Sequence, residues 1–291
     1  EGMLHSRVRT VIDAEVAHLQ IHHPHFKDDY DPALVLNDQN RMMDALQEIK
    51  SIRHSVYRSV TQAMLTTATG SAGVQINGIV PELENPVSGL NKKIIEGEEL
   101  TNKNQNGVLV GKKLTEKMKL KIGSKLVLTF VDRESNITAG AFRVVGIYQT
   151  NNSPLDERNV YVHQGTLNTY LNTEGASHEI AIILHHDEDV EGVKQQLVGR
   201  FPDSLVRTWK ENSPETDLMV STINQYSSII IIIIMIALAF GIINTMLMSV
   251  LERTREIGML SALGMNRIKV FNLILTETIL LTLVGVPLGF L

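Results

Sequence analysis

Residues 107–113 read Gly-Val-Leu-Val-Gly-Lys-Lys, a glycine-flanked turn before lysines of the kind that can cradle phosphate. That chemistry needs four residues between the glycines and a Ser or Thr after the lysine. Here three residues separate Gly107 from Gly111, and Lys113 stands where the hydroxyl belongs. A strand, a turn and a helix are the simpler reading. His18, His22, His23 and His25 form a second cluster. On a strand His18 and His22 share a face, which a divalent metal can use. No Glu-x-x-His or cysteine accompanies them and Pro24 interrupts, so a solvated strand edge is expected. His185, His186, Asp187, Glu188 and Asp189 lie between an apparent strand and a helix, where acidic residues suit the helix macrodipole better than a metal. There is no Gly-x-Ser-x-Gly, no paired-carboxylate pattern and no cysteine. The chain is not expected to be an enzyme or to bind a metal or cofactor itself.

Two polar residues stand inside apolar surroundings. Asn244 lies in SSIIIIIIMIALAFGIINTMLMSV, residues 227–250, and Glu277 lies in a second apolar run that ends the sequence. A carboxylate in such a run is a functional candidate. Glu277 follows Lys269 by two turns and is expected to pair with Arg267 or Lys269, or to face a partner helix. Between the runs lies Glu252-Arg253-Thr254-Arg255-Glu256-Ile257-Gly258-Met259-Leu260-Ser261-Ala262-Leu263-Gly264. Ile257, Leu260 and Leu263 can share one helical face, with Glu252, Arg253, Arg255 and Glu256 on others. Gly264 suits a helix end. Periodicity alone fits both a lever that docks on a partner and an interfacial helix whose arginines touch lipid phosphates.

The elements that position these residues follow from hydropathy. No charge occurs between Asp217 and Glu252, and about 20 apolar residues suffice to cross a bilayer. Residues 227–250 are therefore expected to span, 252–265 to form a connecting helix, and 268–291 to form part of another span. The connector has four basic and two acidic residues, which places it on the cytoplasmic side and residues 1–220 on the opposite side. A domain exported ahead of this span implies an upstream membrane helix, so the sequence reads as a fragment, ending within an apolar run.

The 291-residue chain places only seven charged residues beyond 220, which leaves 23 basic and 29 acidic side chains in the first 220. This mildly acidic mixture fits a soluble domain and argues against nucleic acid as a partner. Arg7–Ala17 reads as a helical stalk. Strands are expected at 16–22, 56–67 and 74–80, with a helix after Asn37 or Asp38 and a turn marked by Gly70 and Gly73. After Pro81, glycines divide the sequence into short pieces. Strands are expected at 108–110, 125–131 and 141–148, and a helix at 112–118. From 159 the alternation resumes with strands at 159–162, 179–184 and 205–209 and helices at 166–171 and 190–200. Residues 215–225 read as a descending stalk. The expected fold is an α+β extracytoplasmic domain plus transmembrane α-helices. Two α/β halves, 1–80 and 155–215, form one subdomain, and 81–154 is a β-rich inserted subdomain.

The connector resembles the signature of FtsX-type ABC transporter permeases, Glu-Arg-(Arg/Thr)-Arg-Glu-Ile-Gly followed by Ala-Leu-Gly and a basic residue. Gly241-Ile242-Ile243-Asn244-Thr245-Met246 upstream is similar to an element of that family. So is Ile274–Leu281 with Gly285 and Gly289 downstream. Residues 1–220 resemble, less specifically, a MacB-like periplasmic domain. His18–His22 and Phe26–Asp29 look most like lipoprotein-releasing, LolC/LolE-like members. The resemblance implies a multi-pass inner-membrane permease with its large domain in the periplasm. A separate cytoplasmic ABC ATPase subunit, or a missing fused domain, would hydrolyse ATP. Glu252, Arg253, Arg255, Glu256, Ile257, Gly258, Leu260 and Gly264 would couple to it, with Gly258 allowing close approach. Further partners implied are a second copy or related permease, a periplasmic carrier or adaptor, and the lipid membrane. The family leaves three roles open: lipoprotein release, efflux through an adaptor and outer-membrane tube, and non-transport control of a periplasmic hydrolase.

Overall fold

The computed structural model describes residues 17–101, 104–150 and 152–289. The expected stalk at Arg7–Ala17 lies, except for Ala17, outside the described residues. The chain divides into two compact units, Glu1–Val220 and Ser221–Leu291.

In chain order the first unit contains β1 (Leu19–His22), α1 (Phe26–Asp29), α2 (Gln39–Gln47), β2 (Ile52–Thr67), β3 (Gly70–Ile79), α3 (Pro81–Ser88), β4 (Ile94–Gly97), β5 (Gly107–Gly111) and α4 (Lys112–Met118). It continues with β6 (Lys125–Val131), β7 (Ile137–Tyr148), α5 (Ser153–Arg158), β8 (Asn159–His163), α6 (Gln164–Leu171), β9 (Glu179–Leu184), α7 (Val190–Arg200), β10 (Leu205–Thr208) and α8 (Trp209–Asn212). The long α9 (Pro214–Glu252), then α10 (Thr254–Ala262) and α11 (Arg267–Gly289), complete the order.

The strands make two connected systems. One is the antiparallel run β10-β1-β9-β2. Leu19, Ile21, Ile180 and Ile182 on one of its faces pack with Met42 and Leu46 of α2 and Val193 and Leu197 of α7. Ala181 and Ile183 on the other pack with Val87 of α3 and Trp209 of α8. With both faces covered, β1 and β9 are buried at every position. The expected solvated edge at His18 and His22 is thus corrected. β1 is an inner strand between β10 and β9, and both histidines are buried. The His/apolar alternation marks a two-faced strand, but not which faces another element covers.

The other system is a ring. β2 pairs β3, β3 pairs β8, β8 pairs β5, β5 pairs β7, β7 pairs β6, and β6 returns to β2. β4 adds to the end of β7. Leu65, Ile76, Val108, Val110, Leu126, Leu128, Phe130, Phe142, Val144, Val160 and Val162 form its core, with Leu114 and Met118 of α4 and Leu167 and Leu171 of α6. On β6 the alternation Leu126-Leu128-Phe130 inward, Lys125-Val127-Val131 outward is the period-2 pattern of a sheet with one buried face. The ring does not respect the expected boundaries at 81 and 154. β2, β3 and β8 come from outside that segment and β5, β6 and β7 from within it. β2 is the shared element: residues 52–58 pair with β9, and 59–67 pair with β3. The β2–β3 hairpin turns between Thr67 and Gly70, while Gly73 lies within β3.

In the second unit, Gln225–Glu252 of α9 is long and apolar enough to cross a membrane, with an 18-residue stretch of mean hydropathy 2.8 that is not buried inside the chain. Such a helix must satisfy its backbone internally, which the unbroken helical ladder does.

The ring also explains the glycine at the end of the phosphate-loop lookalike. A Cβ on Gly111 would stand 2.0 Å from the backbone oxygen of Asp156. The site is closed by chain rather than open to an anion, and Gly111 is required for packing. Gly111→Ala is expected to destabilise the first unit by about 2–4 kcal/mol, because backbone must move to admit the methyl group. Urea unfolding of the purified chain in detergent, followed by Trp209 fluorescence, measures this. An unchanged midpoint would refute the packing assignment.

Candidate functional site

The connector begins where α9 ends. Arg253 is the one non-helical residue between Glu252 and Thr254. Its carbonyl accepts the Ile257 N–H at 3.0 Å, so it caps α10. The far end of α10 closes on Gly264, whose φ of +92° is the left-handed region glycine adopts without strain. The Met265 N–H donates to the Leu260 carbonyl at 3.1 Å, a Schellman closure. The Lys269 and Val270 N–H groups then donate to the Asn266 carbonyl, starting α11.

Helical geometry divides seven of the eight expected coupling residues between one stripe and the rest of the connector. Arg253, Ile257, Leu260 and Gly264 follow the i, i+4, i+7, i+11 spacing of one stripe. Ile257 and Leu260 on that stripe are half-buried, as are Met265 and Ile274, and Val270 is buried. Val270, Ile274 and Glu277 form the matching i, i+4, i+7 stripe on α11. The far side of α10 carries Arg255, Gly258 and Met259, all exposed, Met259 at 63%. Glu256 and, just past the helix end, Leu263 at 81% exposure lie on the flank of the stripe. Nothing in the chain lies within 4 Å of a Cβ placed on Gly258. Glu252 is exposed at the end of α9. Sequence reading placed Ile257, Leu260 and Leu263 together and passed over Met259, whereas Ile257 and Leu260 are half-buried and Leu263 is exposed. The 100° step assigns residues to stripes, but only α11 shows which stripe is covered.

Glu277 pairs with neither Arg267 nor Lys269. Its Oε1 accepts from Arg253 Nη1 at 2.6 Å. Asn244 is exposed on α9, and its neighbour Thr245 donates to the Gly241 carbonyl at 2.9 Å.

The first unit places its titratable groups where β2 changes partners. Arg58 is the last β2 residue paired with β9, directly opposite Glu179, which in turn faces His22 of β1. Arg58 donates to both carboxylate oxygens of Glu84, at 2.8 and 2.7 Å, and to Glu179 at 3.2 Å. Lys27 donates to the second Glu179 oxygen at 3.1 Å. Burial pushes the Glu179 carboxyl up, but Lys27 and Arg58 outweigh it and hold it below its usual range. His178 accepts the Val60 N–H at 3.2 Å and donates to the Pro32 carbonyl at 3.1 Å, with Phe26 stacked on its ring. Burial lowers its pKa from 6.5 to about 4, and burial likewise lowers that of His22. Sequence reading missed this cluster, because Arg58, Glu84 and Glu179 meet only through the strand register and one helix. His18 donates to Asp187 at 2.9 Å, so the acidic run after β9 holds β1. Among the described residues no three metal-ligand side chains converge.

The chain thus combines a mixed α/β domain, a helix long and apolar enough to cross a membrane, a short connecting helix and a further apolar helix. Residues 228–291 match the FtsX-like permease C-terminal family. An ABC transporter permease of Methanocaldococcus jannaschii is 28% identical over 160 residues, 52% of this chain and 40% of that protein. The macrolide export ATP-binding/permease protein MacB of Acinetobacter baylyi is 27% identical over 51% of this chain and 24% of its own length. The lipoprotein-releasing system transmembrane protein LolC of Neisseria meningitidis is 24% identical over 74% of this chain and 54% of its own. The periplasmic region of MacB from Actinobacillus actinomycetemcomitans aligns with a TM-score of 0.47 and 13% identity, over 76% of this chain and 98% of that one. Over these stretches the chain is similar to ABC transporter permeases of the FtsX type. It spans about half or less of the length of these curated relatives.

Two outcomes follow for the first unit. Glu84→Ala leaves Arg58 without its bidentate partner in a dry site and is expected to cost about 3–5 kcal/mol, read from the urea midpoint. His178 binds its proton less readily folded than unfolded, so the unfolded chain gains protons first as pH falls. Its contribution is complete above pH 6.5 and drains away towards about pH 4. The urea midpoint should therefore drop between about pH 7 and 5, and less steeply in His178→Asn. Equal slopes would remove His178 from the account.

Proposed function

We propose that this chain is the membrane permease subunit of an inner-membrane ABC transporter. In this reading its connector takes up motion from a cytoplasmic ATPase, and its large domain on the periplasmic side uses that motion to release lipoproteins from the membrane. The observation that carries the reading is the two-faced connector. One stripe of α10 packs on α11. The rest of the connector presents Arg255, Glu256, Gly258, Met259 and Leu263 outward, between two apolar helices, within the residues that match the permease family. An exposed apolar pair beside paired charges is the composition of a docking surface, in which Met and Arg are favoured. Gly258, bare of neighbours, allows a partner's backbone to come close. Ile257, Leu260 and Gly264 then serve by holding the helix, and Arg255, Glu256 and Gly258 by touching the ATPase. Glu252 and Asn244 remain exposed on α9, where Asn244 suits a hydrogen bond to another helix, such as that of a second or related permease.

Lipoprotein release is favoured by the extent of the LolC match, which covers 74% of the chain and so reaches well into the first unit. The matches to MacB proteins support a second reading, efflux with an adaptor and an outer-membrane tube. Control of a periplasmic hydrolase fits less well with so large a first unit. In none of these readings does the chain bind ATP; the MacB relatives carry ATP-binding and permease functions in one protein by name, so the ATPase is either a partner or a further segment.

Affinity capture of the full-length permease from native membranes tests this. An ATPase with lipid-modified proteins and a soluble carrier is the expected set. An adaptor with an outer-membrane tube would replace release by efflux, and absence of any ATPase, fused or copurified, would sink the permease reading. Arg255→Glu and Gly258→Leu are each expected to reduce ATPase capture or stimulation by about tenfold, the scale of about 1.4 kcal/mol lost at an interface. Full retention in both would show that this face of α10 is not the docking face.

A further inference from the structure

The Arg253–Glu277 pair sits at an unusual place. Arg253 is the single residue that breaks the helix between α9 and α10, and it also opens the stripe on which Ile257 and Leu260 are half-buried. Glu277 ends the matching stripe Val270-Ile274-Glu277. From Thr254 to Ala262 α10 runs about 13 Å, and from Arg267 to Glu277 α11 runs about 15 Å back, at 1.5 Å per residue. The two legs match in length, so the pair closes the open end of a helical hairpin whose other end is the Gly264 turn. A positive charge at a helix N-terminus opposes the macrodipole, which gives Arg253 reason to find a carboxylate. Each side chain is about half exposed, 54% and 47%.

We propose that Arg253 and Glu277 are a positioning clamp. They hold α10 against α11 so that the connector moves as one body with α11 and bends relative to α9 at Arg253. The inference rests on the proposed coupling role of the connector, and removes Arg253 from direct contact with the ATPase. A pair this exposed is weak enough to open and re-form during a working cycle. Its effect is therefore on transmission and not on assembly.

Two measurements on the full-length permease in native membranes decide it. The chain has no cysteine of its own, so introduced ones are unique within it. Arg253→Cys with Glu277→Cys, treated with a short bis-methanethiosulfonate, should gain the mass of one bridging spacer. Arg255→Cys with Glu277→Cys should gain two reagents attached by one end each, since residue 255 lies on the opposite face. Two singly attached reagents on the 253/277 pair would overturn the clamp. Second, Arg253→Glu and Glu277→Arg singly should each lower permease-stimulated ATP hydrolysis about threefold to fivefold, the range of an exposed ion pair. Copurification of the ATPase should stay unchanged, and the double exchange should recover most of the rate. Loss of copurification in Arg253→Glu, or no recovery in the double exchange, would overturn the positioning role. If the wild-type permease brings down no ATPase, the proposed function fails. The cross-link then still decides whether the clamp exists.

Discussion

Arg58 holds the first unit together. β2 belongs to two sheets, and Arg58 is the residue at which it leaves one for the other. Where a strand changes partners its ladder is interrupted, and backbone groups there need other company. His178 supplies it by accepting the Val60 N–H, next to the ladder bond from its own N–H to the Arg58 carbonyl. The guanidinium reaches two carboxylates brought from α3 and β9, and Lys27 of α1 completes the set. Burying charges is expensive unless each finds its partners. Here two cations meet two anions, and the fork of Arg58 matches Glu84 edge to edge. Four elements must be in place before the cost is offset, so the network fixes how the β1/β9/β10 sheet sits against the ring. Apolar packing would hold these parts together without selecting one arrangement.

The connector uses the same pair of residue types for the opposite purpose. Arg253 and Glu277 are half in water, where a single ion pair contributes little and exchanges easily. The apolar seam beside it is short, with Val270 buried and four half-buried neighbours. A buried network commits a domain to one geometry. An exposed pair on a short seam commits the connector far less strongly. The contrast follows from solvent exposure alone.

What could be read from the sequence follows the same division between local and distant causes. The membrane span, α4, β6, β9 and α7 are set by runs of apolar residues or by their period, and their expected bounds agree with the observed ones within a few residues. The ring was not legible. Closing it needs β6 to meet β2 and β3 to meet β8, pairings some 60 to 80 residues apart that leave no mark on either strand. For the same reason the boundaries at 81 and 154 follow a change of texture and not a change of pairing partner. His18 and His22 were misplaced because alternation shows that a strand has two kinds of face. It does not show that α3 and α8 lie over the polar one. On the connector the period grouped Ile257, Leu260 and Leu263, but Leu263 lies past the helix end and is exposed, which the period does not show.

The shape of α9 limits how a permease of this kind can work. It runs 39 residues without an internal proline, about 58 Å at 1.5 Å per residue, against about 30 Å of hydrocarbon. Roughly half its length therefore stands outside the apolar layer, beginning at Pro214, directly after the capping box of Thr208 and Glu211 that ends β10. A helix whose ladder is continuous resists stretching, so displacement applied at one end appears at the other. Sharp bends belong at proline, at glycine pairs or where the ladder is broken. α9 itself has only the lone Gly241, with no second glycine beside it. The break comes one residue past its end, at Arg253. The one break in the ladder thus falls on the residue whose side chain pairs with the carboxylate of Glu277.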